Sequence, residues 1–404
     1  MSAISEETNL PSTWRWVRCQ DIIDVRDGTH DTPTKTNFGI PLITSKNLTP
    51  EGLDFSNITY ISEEDHQSIE KRSAVDDGDV LFAMIGTIGN PVIVKKERRF
   101  SIKNIALFKL NKSLYYPPFF KELLNTSIIK KQLDRNTKGG NQKFVSLSVL
   151  RNMVIPLPPL EEQKRIAEIL DQAEELRTKR RDAIAQLNTL TQSIFIEMFG
   201  DPVVNRKRWE VRNMNECAER IQIGPFGTQL HEEDYIENGI PLINPTHIQD
   251  GKIFHNTSFS ISNEKHQQLS QYHLKVDDVI LGRRGEMGRC AIISEYENGW
   301  LCGTGSLFLR PKQALINSFY LFSVLSSKSI KKYLEKASQG VTMANLNKTI
   351  VSQIPVILPP LPLQKEFARR VEAVEKLKAS HGASLSELDA LFASLQHRAF
   401  RGDL

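Results

Sequence analysis

The stretch IPLPPLEEQKRIAEILDQ, residues 155–172, runs from an apolar segment through a proline pair into a charged, helix-forming run. The chain writes nearly the same joint again as ILPPLPLQKEFARRVEAV, residues 357–374. Other matches precede each joint, in the same order in both copies. Gly39-Ile40-Pro41-Leu42-Ile43 returns as Gly239-Ile240-Pro241-Leu242-Ile243, Asp79-Val80-Leu81 as Asp278-Val279-Ile280, and Gly86/Gly89 as Gly285/Gly288. Phe119-Phe120 answers to Phe319-Tyr320, and Ile129-Lys130-Lys131 to Ile330-Lys331-Lys332. Short apolar matches arise freely, but six collinear anchors at offsets of 199–201 do not, so the chain is an internal duplication.

Each copy has two parts. The first is rich in short apolar or alternating runs bounded by Gly, Pro, Asn and Asp, such as GIPLITSKNL, DDGDVLFAMIG and NPVIVKKERRF. A helix-like run follows in each copy, YPPFFKELLNTSIIKKQL and NSFYLFSVLSSKSIKKYLEK. This pattern predicts a mixed α+β domain. The second part is a long helix. Pro158-Pro159 and Pro359-Pro360 bar helix upstream, and Glu161-Glu162 put negative charge where the helix dipole favours it.

Steps of four and three from Ile166 give Ile166, Leu170, Ala173, Arg177, Arg180, Ile184, Leu187, Thr191, Ile194 and Met198. The second copy gives Phe367, Val371, Val374, Lys378, His381, Leu385, Leu388, Phe392, Leu395 and Ala399. Both stripes break at the same two places, Arg177/Arg180 and Lys378/His381. A single stripe also fits a helix lying on its own domain's core. Two matching stripes predict helices that pair with each other, with Ile166, Leu170, Ile184, Leu187, Ile194, Phe367, Val371, Leu385, Leu388, Phe392 and Leu395 along the seam. At ~1.5 Å per residue a helix of some 38 residues reaches roughly 55–60 Å, which is a spacer design. The expected domains are 1–157, helix 158–200, 201–358 and helix 359–404.

Composition narrows the function classes. With 404 residues, 40% hydrophobic and 25% charged, the chain reads as globular with two or three domains. It has no apolar run of 18 residues and no basic-then-apolar start, which predicts neither membrane helix nor secretory signal. Four scattered cysteines without a C-x-x-C pair disfavour zinc or disulfides and point to a reducing cytoplasm. A net charge of +4 permits nucleic-acid binding without announcing it. No G-x-x-x-x-G-K-[ST] loop is present, and no G-x-G-x-x-G follows a strand. Asn244-Pro245-Thr246-His247 lacks the second proline and the aromatic of an adenine methyltransferase motif. Glu162-Gln163-Lys164 matches half of a nuclease signature, but in a first helical turn where capping and solvation explain it. No histidine pair has metal-ligand spacing, and His66 and His266 read as exposed helix residues.

What remains is polar and basic chemistry on Gly-containing loops. The candidates for DNA contact are Thr29, Thr32, Lys35, Lys46, Asn47, Lys138, Asn141, Gln142 and Lys143 in the first copy. In the second they are Thr228, Gln229, Asn244, Thr246, Arg283, Arg284, Arg289, Gln339 and Thr342. Arg, Lys, Asn and Gln pair with purine edges in the major groove, while Lys, Ser and Thr hold phosphates.

The order of variable domain, L-P-P-L-x-x-Q-K helix, second domain and second such helix resembles the specificity subunit of type I restriction-modification systems. The helix endings Glu197-Met198-Phe199-Gly200-Asp201-Pro202 and Phe400-Arg401-Gly402-Asp403-Leu404 fit the resemblance, which covers essentially the whole chain. It implies two tandem target recognition domains, and helices paired as an antiparallel coiled coil with an internal pseudo-two-fold. It also implies a non-catalytic DNA-binding chain with no cofactor of its own. The expected partners are double-stranded DNA, methyltransferase subunits, in two copies, that take S-adenosylmethionine, and restriction subunits that use ATP and Mg2+. A protein-only coiled-coil adaptor is the alternative, and a self-sufficient nuclease or methyltransferase is disfavoured by the missing motifs.

Overall fold

A computed structural model describes residues 10–136, 144–254, 256, 258–285, 287–337 and 345–404. The chain divides into two compact units, Met1–Arg181 with Ala383–Leu404, and Asp182–Gly382. In the first unit we label β1 (Arg15–Arg18), β2 (Asp24–Asp27), β3 (Ile40–Ile43), β4 (Val80–Ala83), β5 (Gly89–Ile93), β6 (Ile105–Lys109) and β7 (Val154–Leu157). Its helices are α1 (Pro117–Leu124), α2 (Ser127–Asn136) and the start of α3 (Leu160–Phe199). The second unit holds β8 (Glu210–Asn213), β9 (Ala218–Ile223), β10 (Ile240–Ile243), β11 (Val279–Gly282), β12 (Cys290–Ile292), β13 (Ser306–Pro311) and β14 (Pro355–Leu358). It also holds α4 (Ser318–Ser326), α5 (Lys328–Ala337) and the start of α6 (Leu361–Ala399).

The duplication is a duplication of topology. An antiparallel sheet in the order β2-β6-β4-β5 recurs as β9-β13-β11-β12. In a second sheet β3 runs parallel to Ser101–Ile102, and β10 likewise runs parallel to Leu301–Cys302. The strand entering each copy pairs with the strand leaving it, β1 with β7 and β8 with β14. The helix-like run is two short helices in each copy. Between them the hydroxyls of Thr126 and Ser327 donate to the Leu123 and Val324 carbonyls at 2.7 Å, taking acceptors that a continuing helix would use.

A buried glutamine fixes each proline joint. The strands end at Leu157 and Leu358, just before the proline pairs. Gln163, 1% exposed, accepts from the Tyr116 N–H (2.8 Å) and donates to the Leu114 and Pro158 carbonyls (3.0 Å each). Gln364, fully buried, accepts from the Asn317 N–H (2.9 Å) and donates to the Leu315 (3.2 Å) and Pro359 (2.8 Å) carbonyls. Solvation accounts for Glu161, Glu162 and Lys164, which pair along the helix surface, but not for Gln163. A tyrosine hydroxyl adds to each lock, Tyr115 to the Pro156 carbonyl and Tyr320 to the Ile357 carbonyl.

The long helices pair antiparallel in each unit. In the first, Arg165 donates to the Leu404 carbonyl (3.0 Å) and Arg177 to Asp389 (2.7 Å). Arg177 also lies 4.4 Å from the centre of the Phe392 ring, so one break in the apolar stripe is filled by an ion pair and a cation–π contact. Ile166 and Leu170 are buried with Ala399 and Phe400 in the first domain's core, with Phe392 and Leu395 packed against it. In the second unit Phe367 and Val371 are buried, Leu187 is 9% exposed and Ile184 is half-buried. Leu385 and Leu388 are half-buried in the first unit. The seam differs from expectation at one end. Ile194 and Met198 are only partly buried, and Phe195 and Phe199 carry the deep packing. There the helix turns its aromatic face to the second domain, with Phe199 at 4.8 Å from Tyr320 and 5.4 Å from Phe367.

Replacing either glutamine by leucine keeps the volume but strands an N–H and two carbonyls. Gln163→Leu and Gln364→Leu should each cost about 2–4 kcal/mol in urea unfolding. Lys164→Ala, on the exposed side of the same turn, should change stability by less than about 0.5 kcal/mol. Equal midpoints for the glutamine variants and the parent would contradict the lock.

Candidate nucleic-acid interface

Both domains gather their loops at one end of the four-stranded sheet, and the same backbone bonds do it. Gly28 N–H donates to the Ile105 carbonyl (2.9 Å) and Gly224 N–H to the Ser306 carbonyl (3.0 Å). A Cβ on Gly28 would collide with the Ile102 carbonyl, and one on Gly224 with the Gly303 carbonyl, so only glycine permits these close approaches. Lys103 N–H donates to the Ile43 carbonyl (2.9 Å) and Gly303 N–H to the Ile243 carbonyl (3.0 Å). Val145 N–H donates to the Met84 carbonyl (2.9 Å) and Leu346 N–H to the Arg283 carbonyl (3.0 Å). These bonds make Lys103 and Gly303, and Met84 and Arg283, matching positions.

In the first domain the ends line a recess of about 360 Å³, formed by Asp27, His30, Met84, Ile85, Asn104 and Phe144–Ser148. Thr29 is half-buried, its N–H on the Ile102 carbonyl (3.0 Å) and its Oγ1 accepting from the Asp31 N–H (3.2 Å). Thr32 is exposed and accepts from Lys103 Nζ at 2.9 Å. His30 places Nε2 2.8 Å from Asp27 Oδ2 and Nδ1 2.9 Å from Asn104 Oδ1. Asn104 and then Asp27 raise its pKa, which favours an imidazolium facing two oxygens. The other Asp27 oxygen accepts from Arg72.

The remaining first-copy candidates differ in kind. Lys35 is exposed on an edge strand, Lys35–Thr36, of the second sheet. Lys46 is exposed on the turn Ser45–Asn47 that follows β3. Asn47 is a turn former instead: it is 5% exposed, accepts from the Thr44 N–H and hydroxyl, and donates to the Asp54 carbonyl (3.0 Å). Its amide is already satisfied, which removes it from base reading. Lys138, Asn141, Gln142 and Lys143 lie outside the described residues, as do Gln339 and Thr342 of the second copy.

In the second domain Thr228 and Thr246 are exposed on their turns. Gln229 accepts from the Tyr272 hydroxyl at 2.7 Å, and Asn244 is half-buried with its carboxamide against the Gly303 backbone. Arg289 donates to the Pro245 carbonyl (3.1 Å). Arg284 is exposed, whereas Arg283 is 7% exposed with Nε on the Leu346 carbonyl (2.9 Å). Burial first, and Arg284 second, lower the Arg283 pKa.

Sequence reasoning missed Lys103, Asn104 and His30 as members of the first cluster. A Lys-Asn pair between Ile102 and Ile105 was the available signal, with Asn104 in the left-handed region at φ 55°. It also misplaced two histidines. His66 is 1% exposed and holds Ser101 Oγ at 2.8 Å. His266 is half-buried, holds the Gly299 carbonyl at 2.8 Å and stacks on His273.

The described residues offer no cluster of three or more His, Cys, Asp or Glu side chains placed to hold a metal ion. All four cysteines are buried free thiols, with burial pushing Cys19 up to about 12 and Cys217 and Cys290 up to about 11. Among the described residues no helix is long and apolar enough to cross a membrane.

Known proteins share this architecture. The putative type I restriction enzyme MjaX specificity subunit of Methanocaldococcus jannaschii is 25% identical over 386 residues, covering 92% of this chain and 89% of the relative. The type I restriction enzyme EcoBI specificity subunit of Escherichia coli is 23% identical over 426 residues, covering 98% and 87%. A chain of a solved type I R-M system superposes with a TM-score of 0.62 at 21% identity, covering 98% of this chain and all of that one. The crystal structure of a type I restriction-modification system S subunit from M. genitalium gives a TM-score of 0.55 at 16% identity, covering 97% and 96%. The family profile described as Type I restriction modification DNA specificity domain matches residues 11–187 and again 206–390, and the chain belongs to that family.

Proposed function

We propose that this chain is the DNA-reading specificity subunit of a type I restriction-modification enzyme. In this reading residues 1–157 and 201–358 are target recognition domains, each taking one half of a bipartite site. The helices 158–200 and 359–404 set the gap between the halves. The observation that carries the reading is the pairing of one backbone with two chemistries. At matching positions the first domain presents Lys103, Asn104 and Met84, and the second presents Gly303, Thr304 and Arg283. A frame repeated this faithfully while its loop ends diverge suits two readers of unlike half-sites.

The division of labour follows from side-chain chemistry. Thr32 with Lys103, and the exposed Lys46 and Arg284, suit phosphates, which fix register and carry the salt dependence of binding. Asn104, Arg283 and Arg289 suit base edges. The chain supplies no reaction of its own: it positions DNA. Methyltransferase subunits, in two copies, would bring S-adenosylmethionine to the bound target, and restriction subunits would use ATP and Mg2+, all in the cytoplasm.

Two outcomes test this. Sequencing of methylated bases in cells carrying the complete system should return a bipartite motif with unlike halves; a palindrome would contradict it. Deleting one heptad, Glu174–Arg180, should shorten or abolish the recognised gap and leave both half-site sequences unchanged. The deletion also removes Arg177 and its contacts to Asp389 and Phe392, so retention of the paired helices is checked by circular dichroism. Altered half-site bases in that variant would refute the spacer role. Absence of sequence-specific binding by the chain with its methyltransferase subunits, in mobility shift at fixed salt, would favour a protein-only adaptor.

A further inference from the structure

The second domain leaves polar groups unmatched where the first is apolar. Arg283 is 7% exposed, its Nε bonds the Leu346 carbonyl, and among the described residues neither Nη has a partner and no carboxylate pairs with it. Arg310, another partly buried arginine of the same domain, shows the usual arrangement, with two bonds to Asp278 at 2.8 and 2.7 Å. An arginine side chain this far buried is normally paired with an acid.

Two atoms of neighbouring residues, unlike the Arg283 Nη atoms, are sealed from water without a partner. Ser306 Oγ belongs to a fully buried residue that registers opposite Gly282, and Asn345 Oδ1 precedes the Leu346 that brackets Arg283 on both its carbonyl and its N–H. In the first domain the positions matching Arg283 and Ser306 are Met84 and Ile105, both apolar. The unmatched set is therefore specific to one copy and is not demanded by the shared frame.

The chemistry of Arg283, and its absence from the first copy, select its ligand. A phosphate contact is blind to sequence and would suit both copies of the frame, yet Met84 stands at the matching place in the first. A guanine presents two acceptors, O6 and N7, on its major-groove edge, which a planar guanidinium takes together. Resting on the DNA-reading role above, we propose that Arg283 reads a guanine of the second half-site. Met84, at the matching place, leaves the first domain without this preference. Arg283 is then a specificity residue, and Arg284, exposed beside it, a phosphate contact.

The test uses the complete methyltransferase complex on DNA duplexes. With the wild-type motif mapped, Arg283→Met should lower methylation of the target roughly 10- to 100-fold and relax the preference at one G·C pair of one half-site, the other half unchanged. Arg284→Met should weaken all sequences alike and reduce the salt slope. Because Arg283→Met removes a buried group, the wild-type complex is also assayed on duplexes with 7-deazaguanine, which lacks N7, at each guanine in turn. One such guanine should reproduce part of the loss, since its O6 remains, and Arg283→Met should cost less on that duplex than on the unmodified one. The proposal is overturned if no single guanine shows this, or if the motif of Arg283→Met is unchanged. It is also overturned if Arg283→Met weakens every sequence equally. A wild-type complex with no sequence preference would instead overturn the DNA-reading role itself.

Discussion

The buried glutamine at each proline joint is the interaction on which the rest of each unit depends. A helix begins with free N–H groups and could leave a domain at many angles. Gln163 and Gln364 remove that freedom by tying the first turn to the proline carbonyl behind it and to the segment that opens the next helix of the domain. All three bonds are made out of water, where leaving any one open is costly. The direction in which the helix leaves is thereby set by the domain core. Aromatic packing then holds the end of the other helix against that core, through Phe400 on Phe119 in one unit and Phe199 on Tyr320 in the other.

The same economy shapes the loop ends. Backbone bonds common to both domains, including the close approaches at Gly28 and Gly224, fix where the turns stand and leave the side chains free to differ. Asp27 with His30 and Asn104, and Arg283 with its unmatched neighbours, occupy related ground with opposite character: one arrangement is largely satisfied internally, the other is not. A frame of this kind lets a binding preference change without disturbing the sheet.

Much of this was legible in the sequence because it repeats. Two copies of the joint, the strand Ile40–Ile43 with its echo Ile240–Ile243, and the helical stripes gave the topology its outline. What stayed hidden depends on distance in the fold. Nothing local distinguishes Asn47, whose amide closes its own turn, from an amide free to read a base. The shift from Ile194 to Phe195 follows from which face of the helix meets the second domain, and a seam pattern carries no record of that. Lys103 and Asn104 enter the first cluster only because a parallel strand pair delivers them beside β2.

The central claim is that each domain reads its half-site independently within a shared frame. It is tested most directly by replacing residues 201–358 with a second copy of residues 1–157 and mapping methylated bases in cells that carry the complete system. The target should become symmetric, built from two copies of one parental half-site in inverted orientation. Retention of the parental asymmetric motif would contradict it.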